Sequence, residues 1–363
     1  MNIRSVLSIS VAALFLSACQ SEEVTSPLDP SDLTVRAAKA TASGYTPIEI
    51  PMVAGDLYAY APLVNNSGHV VVSSTYTGST GQSQGRWFIR SGSQNFYFEG
   101  GPIYDLSNGA STYIGTAASG TDGNFLPALW IFNTSTSFSG PSILDYAPGS
   151  GGSVHAVGDA GQAAGTVTGG GAIWNTDGTR IDVANVDPAV FEAILAKDIN
   201  NTGDALFEMH DNTLNHNRAY LRTSDGTMIL LPPLTGHVAS RGSEVSEIVN
   251  GVLYVAGTSD DRQGNYRAVR WVVDVATRTL VATHSRSDRS SSSGIADDGT
   301  VVGDIAGGSN TPFVWRTNNT TVTLKAPKGL TSPTAWSISG NGRYISGRAQ
   351  SGSYGRAVYW VAQ

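Results

Sequence analysis

Apolar and polar positions alternate along most of the chain in short runs that end at glycine-containing turns. From about residue 57 onward, an apolar strand leads into a polar Gly turn, and a β-branched strand ending in a small residue follows. A variable loop then precedes a third strand that carries Ala and an aromatic residue. Period-two runs bounded by Gly, Asn and Asp predict antiparallel strands joined by tight hairpins.

This pattern occurs seven times, with its turn glycines about 41 to 52 residues apart. The turn glycines are Gly68, Gly109, Gly161, Gly203, Gly251, Gly299 and Gly342, and the copies span residues 63–90, 105–130, 156–174, 198–222, 247–271, 294–315 and 335–360. A fourth strand follows in several copies, as at residues 180–183, 228–232 and 322–327. Because such periods are typical of propellers, we predict an all-β fold with seven four-stranded antiparallel blades.

The last copy lacks a fourth strand, whereas residues 46–51 resemble one and precede the first copy. We therefore predict that an N-terminal strand, residues 47–51, pairs with residues 356–361 and closes the ring, which removes an open sheet edge. One segment breaks the repeat. Asp187 as a cap and Pro188 at a first helical position predict a short helix over residues 187–195.

The N-terminus has a different character. Arg4 precedes an apolar run that ends in Leu16-Ser17-Ala18-Cys19, which resembles a bacterial lipoprotein signal with its lipobox. The resemblance implies that residues 1–18 are a signal peptide and that Cys19, the one cysteine of the chain, carries a palmitate-type lipid anchor. Gln20 is not the aspartate that retains lipoproteins at the inner membrane, so we expect the cell outer membrane or cell surface. Residues 19–44 then form a flexible tether before the propeller, residues 45–363.

The repeat itself resembles a known family. The motif Ile-x-x-x-Gly-x-Val-Val-Gly, followed by a loop and Ala-x-x-Trp, is similar to the HAF-type extracellular repeat of secreted bacterial proteins. Residues 295–303 with Trp315, and residues 338–347 with Trp360, match it best. The resemblance implies no reaction, cofactor or catalytic residue. Copies 1 and 4 depart from it, because they have Arg90 and Arg222 at the tryptophan position.

Composition limits the range of functions. The net charge is −7, only 14% of residues are charged, and no second long apolar run follows the signal. An acidic chain of this kind argues against nucleic acid as a partner. We expect a monomer with no cofactor and no metal.

The candidate ligand site is the first strand of each blade, beside the propeller axis. Aligning the copies on their turn glycines gives two columns of first-strand residues. The first column lies directly before the Ile/Val/Leu position, and the second lies one residue before the first. The first column is Leu63, Asp105, Ala156, Asp198, Glu247, Gly294 and Ser337, and the second is Pro62, Tyr104, His155, Lys197, Ser246, Ser293 and Trp336. Asp105, His155, Lys197, Asp198, Glu247 and Trp336 are therefore the candidate ligand-binding residues at the channel mouth. The alternative is that each acid accepts a hydrogen bond from a backbone N–H of the neighbouring blade.

Other motifs have ordinary explanations. Gly81–Gly85 matches G-x-S-x-G but lies in a polar loop, without the strand-to-helix turn of a nucleophile elbow. Oxygen ligands for a cation are available at Asp260, Asp261 and Asn265. Paired acids in a solvated loop usually bind no cation, so we expect none here. We therefore expect a lipid-anchored, non-enzymatic binding or scaffold module with an unknown protein or glycan ligand. The alternatives are a glycan-acting enzyme with its acids at the channel mouth, and an outer-membrane assembly factor.

Overall fold

The computed structural model describes most of the chain from residue 44 onward. The described ranges are residues 44–79, 81–109, 111–120, 124–135, 137–146, 151–184, 186–187, 191–261, 263–307 and 310–363, with the backbone alone for 191–193. The predicted signal peptide, Cys19 and the tether up to residue 43 lie outside them. Within these ranges every regular element is a β-strand, and no helix there is long and apolar enough to cross a membrane.

The strands form seven blades of four. Strand β1 (Tyr45–Glu49) precedes blade 1, which is β2 (Asp56–Val64), β3 (Val70–Thr77), β4 (Ser83–Ser91) and β5 (Gln94–Phe98). Blade 2 is β6 (Asp105–Leu106), β7 (Thr112–Ser119), β8 (Phe125–Asn133) and β9 (Ser137–Ile143), and blade 3 is β10 (Gly152–Val157), β11 (Ala163–Val167), β12 (Gly170–Trp174) and β13 (Arg180–Val183). Blade 4 is β14 (Phe191–Ile199), β15 (Ala205–Asp211), β16 (His216–Arg222) and β17 (Met228–Leu231).

The remaining blades follow in the same way. Blade 5 is β18 (Ala239–Val245), β19 (Val252–Asp260), β20 (Tyr266–Asp274) and β21 (Thr279–Ser285), and blade 6 is β22 (Ser290–Ile295), β23 (Val301–Ile305), β24 (Thr311–Trp315) and β25 (Thr321–Thr323). Blade 7 is β26 (Thr331–Ile338), β27 (Tyr344–Ser351) and β28 (Tyr354–Ala362), with β1 as its outer strand. Every strand pair is antiparallel, and every pair except β1–β28 joins strands that follow one another in sequence. The predicted seven-bladed propeller is therefore confirmed.

Strand β1 closes the ring. Its ladder runs from Tyr45 opposite Ala362 to Glu49 opposite Val358, and the Ile50 N–H extends it to the Ala357 carbonyl at 2.9 Å. The pairing is the predicted one, with the regular strand beginning two residues earlier than expected. Ile50 is buried against residues of blade 1, so the closing segment fills the space between the last blade and the first.

The helix predicted over residues 187–195 is wrong for its described part. Residues 188–190 lie outside the described ranges, and from Phe191 the chain is strand β14. Ile194 and Ala196 are buried while Leu195 is 47% exposed, which is the alternation of a strand on a sheet face. Pairing with β15 therefore overrides the helix-forming composition of the segment, since propensity is a weak local preference.

The core lies between successive blades. One cluster combines Ile173 and Val183 of blade 3 with Ile194, Phe207 and Met209 of blade 4, all buried. Middle strands are covered on both faces, whereas outer strands such as β9 and β21 face solvent along most of their length. The sequence reflects this difference, because middle strands are rich in Val and Ile and outer strands carry Ser and Thr.

Candidate functional site

The first strands of all seven blades surround a central channel of about 320 Å³. The six residues predicted at its mouth all line it. They are Asp105, His155, Lys197, Asp198, Glu247 and Trp336. Their role in binding remains a prediction, but the topology brings all six together around one channel.

A bulge on the first strand directs several of these side chains. The register between first and second strands shifts between Val154 and Ala156 in blade 3 and between Ala196 and Asp198 in blade 4. The residue left without a partner on the second strand is His155 in blade 3 and Lys197 in blade 4. Trp336 is the equivalent residue of blade 7. A bulge re-aims one side chain without ending the strand, which explains how a residue between two buried neighbours reaches the channel.

The alignment of blade 5 needs a correction. Glu244 opposes Ala256 as Asp198 opposes Leu206, so Glu244, and not Glu247, occupies the first column in blade 5. Its bulged neighbour is Ser243 instead of Ser246. The turn of blade 5 is longer than the others, and Glu244-Val245 and Glu247-Ile248 fit the same sequence pattern, so counting back from Gly251 selected the wrong acid.

We call the corrected first column the inner ring. It consists of Leu63, Asp105, Ala156, Asp198, Glu244, Gly294 and Ser337.

The three acids of the inner ring connect neighbouring blades. Asp105 accepts a hydrogen bond from the Val157 N–H at 2.7 Å, and Asp198 accepts one from the Val245 N–H at 2.7 Å. Glu244 accepts one from the Ile295 N–H at 2.8 Å. Each acid therefore satisfies a backbone donor of the next blade, which is the structural alternative considered for this column.

Glu247 belongs to a second ring, three residues further along each chain segment, which we call the turn ring. Its members are Asn66, Asn108, Asp159, Asn201, Glu247, Asp297 and Gly340. The Asn201 N–H donates to the Glu247 carboxylate at 3.1 Å, and the Glu247 N–H donates to Asp297 Oδ1 at 3.1 Å. Similar bonds run from the Asn66 N–H to Asn108 Oδ1 and from the Asn341 N–H to Asn66 Oδ1. The turn ring therefore links blades from one end of the channel.

Burial dominates the electrostatics of the channel acids. It raises the pKa of Asp105 to about 6 and that of Glu247 to about 7, with smaller contributions from neighbouring carboxylates. It also raises the pKa values of Asp198 and Glu244 well above their usual range. His155 shows the opposite direction, because burial and the nearby Lys197 ammonium lower its pKa. The channel thus concentrates acids that ionise only at high cost, beside a largely neutral imidazole.

Aromatic contacts line the channel on two sides. The rings of Tyr104 and His155 stack with centroids 5.1 Å apart, and Trp336 meets Tyr60 edge to face at 5.2 Å. The Arg348 guanidinium lies 5.5 Å from the Trp336 ring centroid. Trp336 is therefore held by its neighbours and partly exposed in the channel, which suits a contact with a ligand.

The other motifs of the sequence form no site. Ser83 begins strand β4, so no helix follows it and no nucleophile elbow exists there. The Asp261 carboxylate accepts hydrogen bonds from the Gln263 and Asn265 backbone, and Asp260 pairs with Arg241. Among the described residues, no group of three or more His, Cys, Asp or Glu side chains is arranged to hold a metal ion.

Sequence comparisons identify no relative. No family model matches the chain, and no curated protein matches it, so the likeness to HAF-type repeats remains a prediction.

Solved structures share the fold. The β-propeller domain of Cps50 (Swd1) from Myceliophteria thermophila superposes with a TM-score of 0.51 at 11% identity, covering 88% of this chain and 100% of that one. A protein of unknown function from Dyadobacter fermentans has a TM-score of 0.45 at 11% identity, covering 86% and 96%. The WD40 propeller of Doa1 has a TM-score of 0.45 at 13% identity, covering 87% and 97%. At such identities the likeness concerns the fold alone, and function has to be argued from the site.

Proposed function

We propose that this chain is a lipid-anchored β-propeller of the cell envelope that binds a partner at its channel mouth and catalyses no reaction. In this proposal Cys19 carries the lipid, the following polar residues form the tether, and the outer membrane is the location. The repeats are of the HAF type, as residues 295–303 and 338–347 suggest.

One observation carries the preference for binding over catalysis. The carboxylates of Asp105, Asp198 and Glu244 each accept a backbone N–H of the next blade. A general acid or base must reach the proton that it transfers, whereas these groups are engaged in holding blades together. Their burial is explained by the fold, so a glycan-cleaving pair of acids is not required to account for them.

The charge of the channel supports a proposal for the kind of group that binds there. Asp159, Glu247 and Asp297 of the turn ring are only half-buried, and they lie at the channel end where the turns meet. Lys197 and His155 are the basic residues among the described channel lining. A partner that presents a positively charged group is therefore favoured, since its charge would stabilise the ionised form of carboxyl groups, such as Glu247, whose pKa values burial has raised.

The anchor is tested by expressing the full chain in a diderm bacterium with an alkyne-labelled fatty acid. We expect label in the wild-type protein and its recovery in the outer-membrane fraction. Cys19→Ser should lose both, whereas Ser21→Ala should keep both. Label and membrane recovery that persist in Cys19→Ser would contradict the anchor.

Channel binding is tested by titrating the purified chain with a lysine-rich decapeptide by calorimetry. We expect binding that weakens with salt and that falls about tenfold in Glu247→Gln. Asp182→Asn, which changes an exposed acid on the outer strand of blade 3, is the matched control. Equal affinities of all three proteins would exclude the channel. Release of sugar reducing ends by the wild type, abolished in Asp198→Ala, would instead support the glycan-acting enzyme.

A further inference from the structure

A second cavity, separate from the channel, opens between blades 2 and 3. It measures about 370 Å³, within the roughly 300–1,000 Å³ range of small-molecule sites. Strands β7 and β8 form one side, and β10 and β11 form the other. We call it the blade 2–3 cleft. Tyr104 lines both this cleft and the channel, so its ring stands between the two cavities.

Two exposed aromatic rings characterise the cleft. Phe125 is 61% exposed at the start of β8, and Tyr104 is 40% exposed. Stacking on His155 fixes the orientation of the Tyr104 ring. Large aromatic side chains are normally buried, because each one removes a large apolar area from water. Two of them left at one cleft therefore offer flat apolar faces to a ligand.

Hydroxyl groups supply the polar part of the same lining. Ser153 Oγ lies 3.1 Å from Thr166 Oγ1 and 2.7 Å from His155 Nε2. Thr168 Oγ1 accepts the Gly151 N–H at 3.0 Å. Because these hydroxyls are already oriented by protein partners, they keep lone pairs or protons in fixed directions for a ligand.

Glycines form part of the cleft where its two sides approach. A Cβ on Gly152 would lie 2.7 Å from the Thr166 carbonyl oxygen and 3.2 Å from Pro127 Cδ. A side chain on Gly151 would lie 3.1 Å from the Phe125 carbonyl oxygen. The close packing of blades 2 and 3 thus requires these glycines, and their backbone borders the cleft without side chains to fill it.

Charge separates the cleft from the channel. The lining side chains of the cleft in the described residues are aromatic, aliphatic or hydroxylic, and none is ionisable except the Tyr104 phenol. A charged ligand would lose hydration there without a counter-charge. An anionic ligand would in addition face the carboxylates of the adjacent channel.

We propose that the blade 2–3 cleft binds a neutral saccharide. A pyranose ring has an apolar C–H face that packs on an aromatic ring, and hydroxyls around its edge that exchange hydrogen bonds with Ser and Thr. Phe125 and Tyr104 supply the faces, and Ser153, Thr166 and Thr168 supply the bonding groups. This inference concerns a different cavity from the channel and does not depend on the charge argument made for it.

The test is calorimetric titration of the purified full chain with cellohexaose, maltohexaose and chitohexaose, with hexagalacturonate as the anionic comparison. We expect at least one neutral oligomer to bind with a dissociation constant of about 1 mM or lower. Phe125→Ala and Tyr104→Ala should each weaken that binding at least about tenfold, and hexagalacturonate should bind at least about tenfold more weakly.

The matched control is Tyr354→Ala, which removes an aromatic side chain that is 57% exposed on blade 7. It should bind like the wild type. Phe125→Ala keeps the test meaningful if Tyr104→Ala fails to fold, because Phe125 is mostly exposed. Absence of binding by every neutral oligomer at about 10 mM would overturn the proposal, and so would unchanged affinity in both cleft variants.

A further variant separates this proposal from the channel proposal. Glu247→Gln should leave saccharide affinity unchanged while it weakens the lysine-rich peptide. Saccharide binding that depends on Glu247 but not on Phe125 would place the sugar in the channel and would refute the cleft. Saturation of the cleft by an apolar dye, with no oligomer binding, would instead indicate an apolar side chain of a partner protein.

Discussion

Four blades carry a buried tryptophan on the third strand, whereas blades 1 and 4 have Arg90 and Arg222 at the same position. A difference on the second strand accompanies this one. In the four blades with a buried tryptophan, one second-strand residue pairs with the tryptophan, and the residue two positions further along that strand is glycine. The four pairs are Gly165–Trp174, Gly257–Trp271, Gly303–Trp315 and Gly347–Trp360. In the arginine blades, Val72 and Phe207 replace the glycine.

The contacts explain why glycine and tryptophan occur together. A Cβ on Gly257 would lie 2.2 Å from Trp271 Cζ3, so the indole lies directly over the glycine. From there the Trp271 N–H donates to the Pro232 carbonyl, on the segment that arrives from blade 4, at 3.0 Å. Trp174 and Trp360 make equivalent bonds to the Asp145 and Lys325 carbonyls, both at 2.7 Å.

The other blades show what is lost without the pair. Arg90 and Arg222 bond to Asn95 and Thr223 of their own blades. Blade 2 keeps Trp130 but has Thr116 at the glycine position, and there the indole N–H is buried with no acceptor among the described residues. In blades 3, 5 and 7 the glycine and the tryptophan therefore act together to fasten the blade to its predecessor.

Removal of a tryptophan should have the largest effect. Trp271 is fully buried, so Trp271→Ala leaves a cavity and an unpaired carbonyl, and it should lower the free energy of unfolding by about 3–5 kcal/mol. Arg222→Ala, at the same position of blade 4, should cost less than about 1 kcal/mol, because the arginine is only half-buried. Urea denaturation measures both values. Similar losses would show that the two kinds of blade are fastened equally.

The comparison also shows what the sequence could predict. Turn glycines at near-even spacing predicted seven blades, since each turn is a local feature with a fixed residue preference. The closing strand followed from counting strands, and Arg90 and Arg222 were visible as departures. The sequence alone does not show that Val72 and Phe207 replace the glycine, because their relation to the arginines depends on strand register.

Longer-range packing decided the remaining points. Residues 191–195 have helix-forming composition, but pairing with β15 makes them a strand. Glu244 and Glu247 are equivalent by pattern, and the register alone selects Glu244 for the inner ring. The blade 2–3 cleft combines Phe125 and Tyr104 of blade 2 with hydroxyls of blade 3, residues that no single repeat contains. Sites built between repeats are invisible to an analysis of one repeat.

A smaller effect is expected from adding one methyl group under the indole. A Cβ at residue 165 would lie 2.0 Å from the Ser153 carbonyl oxygen and 3.1 Å from Trp174 Cζ3, so the backbone of β10 must shift. Gly165→Ala should therefore lower the free energy of unfolding by about 2–3 kcal/mol. Gly85→Ala is the control, because nothing lies within 4 Å of its Cβ position and its side chain would be exposed. A change of less than about 0.5 kcal/mol in both variants would contradict the pairing.

The inner ring offers the subtlest comparison, between blades with an acid and those with Ala156 or Gly294. Burial raises the pKa of Asp105 from 3.8 to about 6, so the folded state holds this proton more tightly than the unfolded state. Protonation of Asp105 therefore stabilises the folded state. This contribution is complete below about pH 4 and is lost as the pH rises to about 6.

The free energy of unfolding of Asp105→Asn, relative to that of the wild type, should therefore be highest above pH 6. From pH 4 to pH 7 its free energy of unfolding should gain about 1–2 kcal/mol on the wild-type value, somewhat less than the full shift gives, because the neighbouring Asp198 titrates too. Ser337→Ala changes the same ring without removing a titrating group, so its pH profile should run parallel to that of the wild type. Denaturation curves at several pH values decide the matter. A parallel profile for Asp105→Asn would mean that Asp105 ionises as easily in the channel as in the unfolded chain.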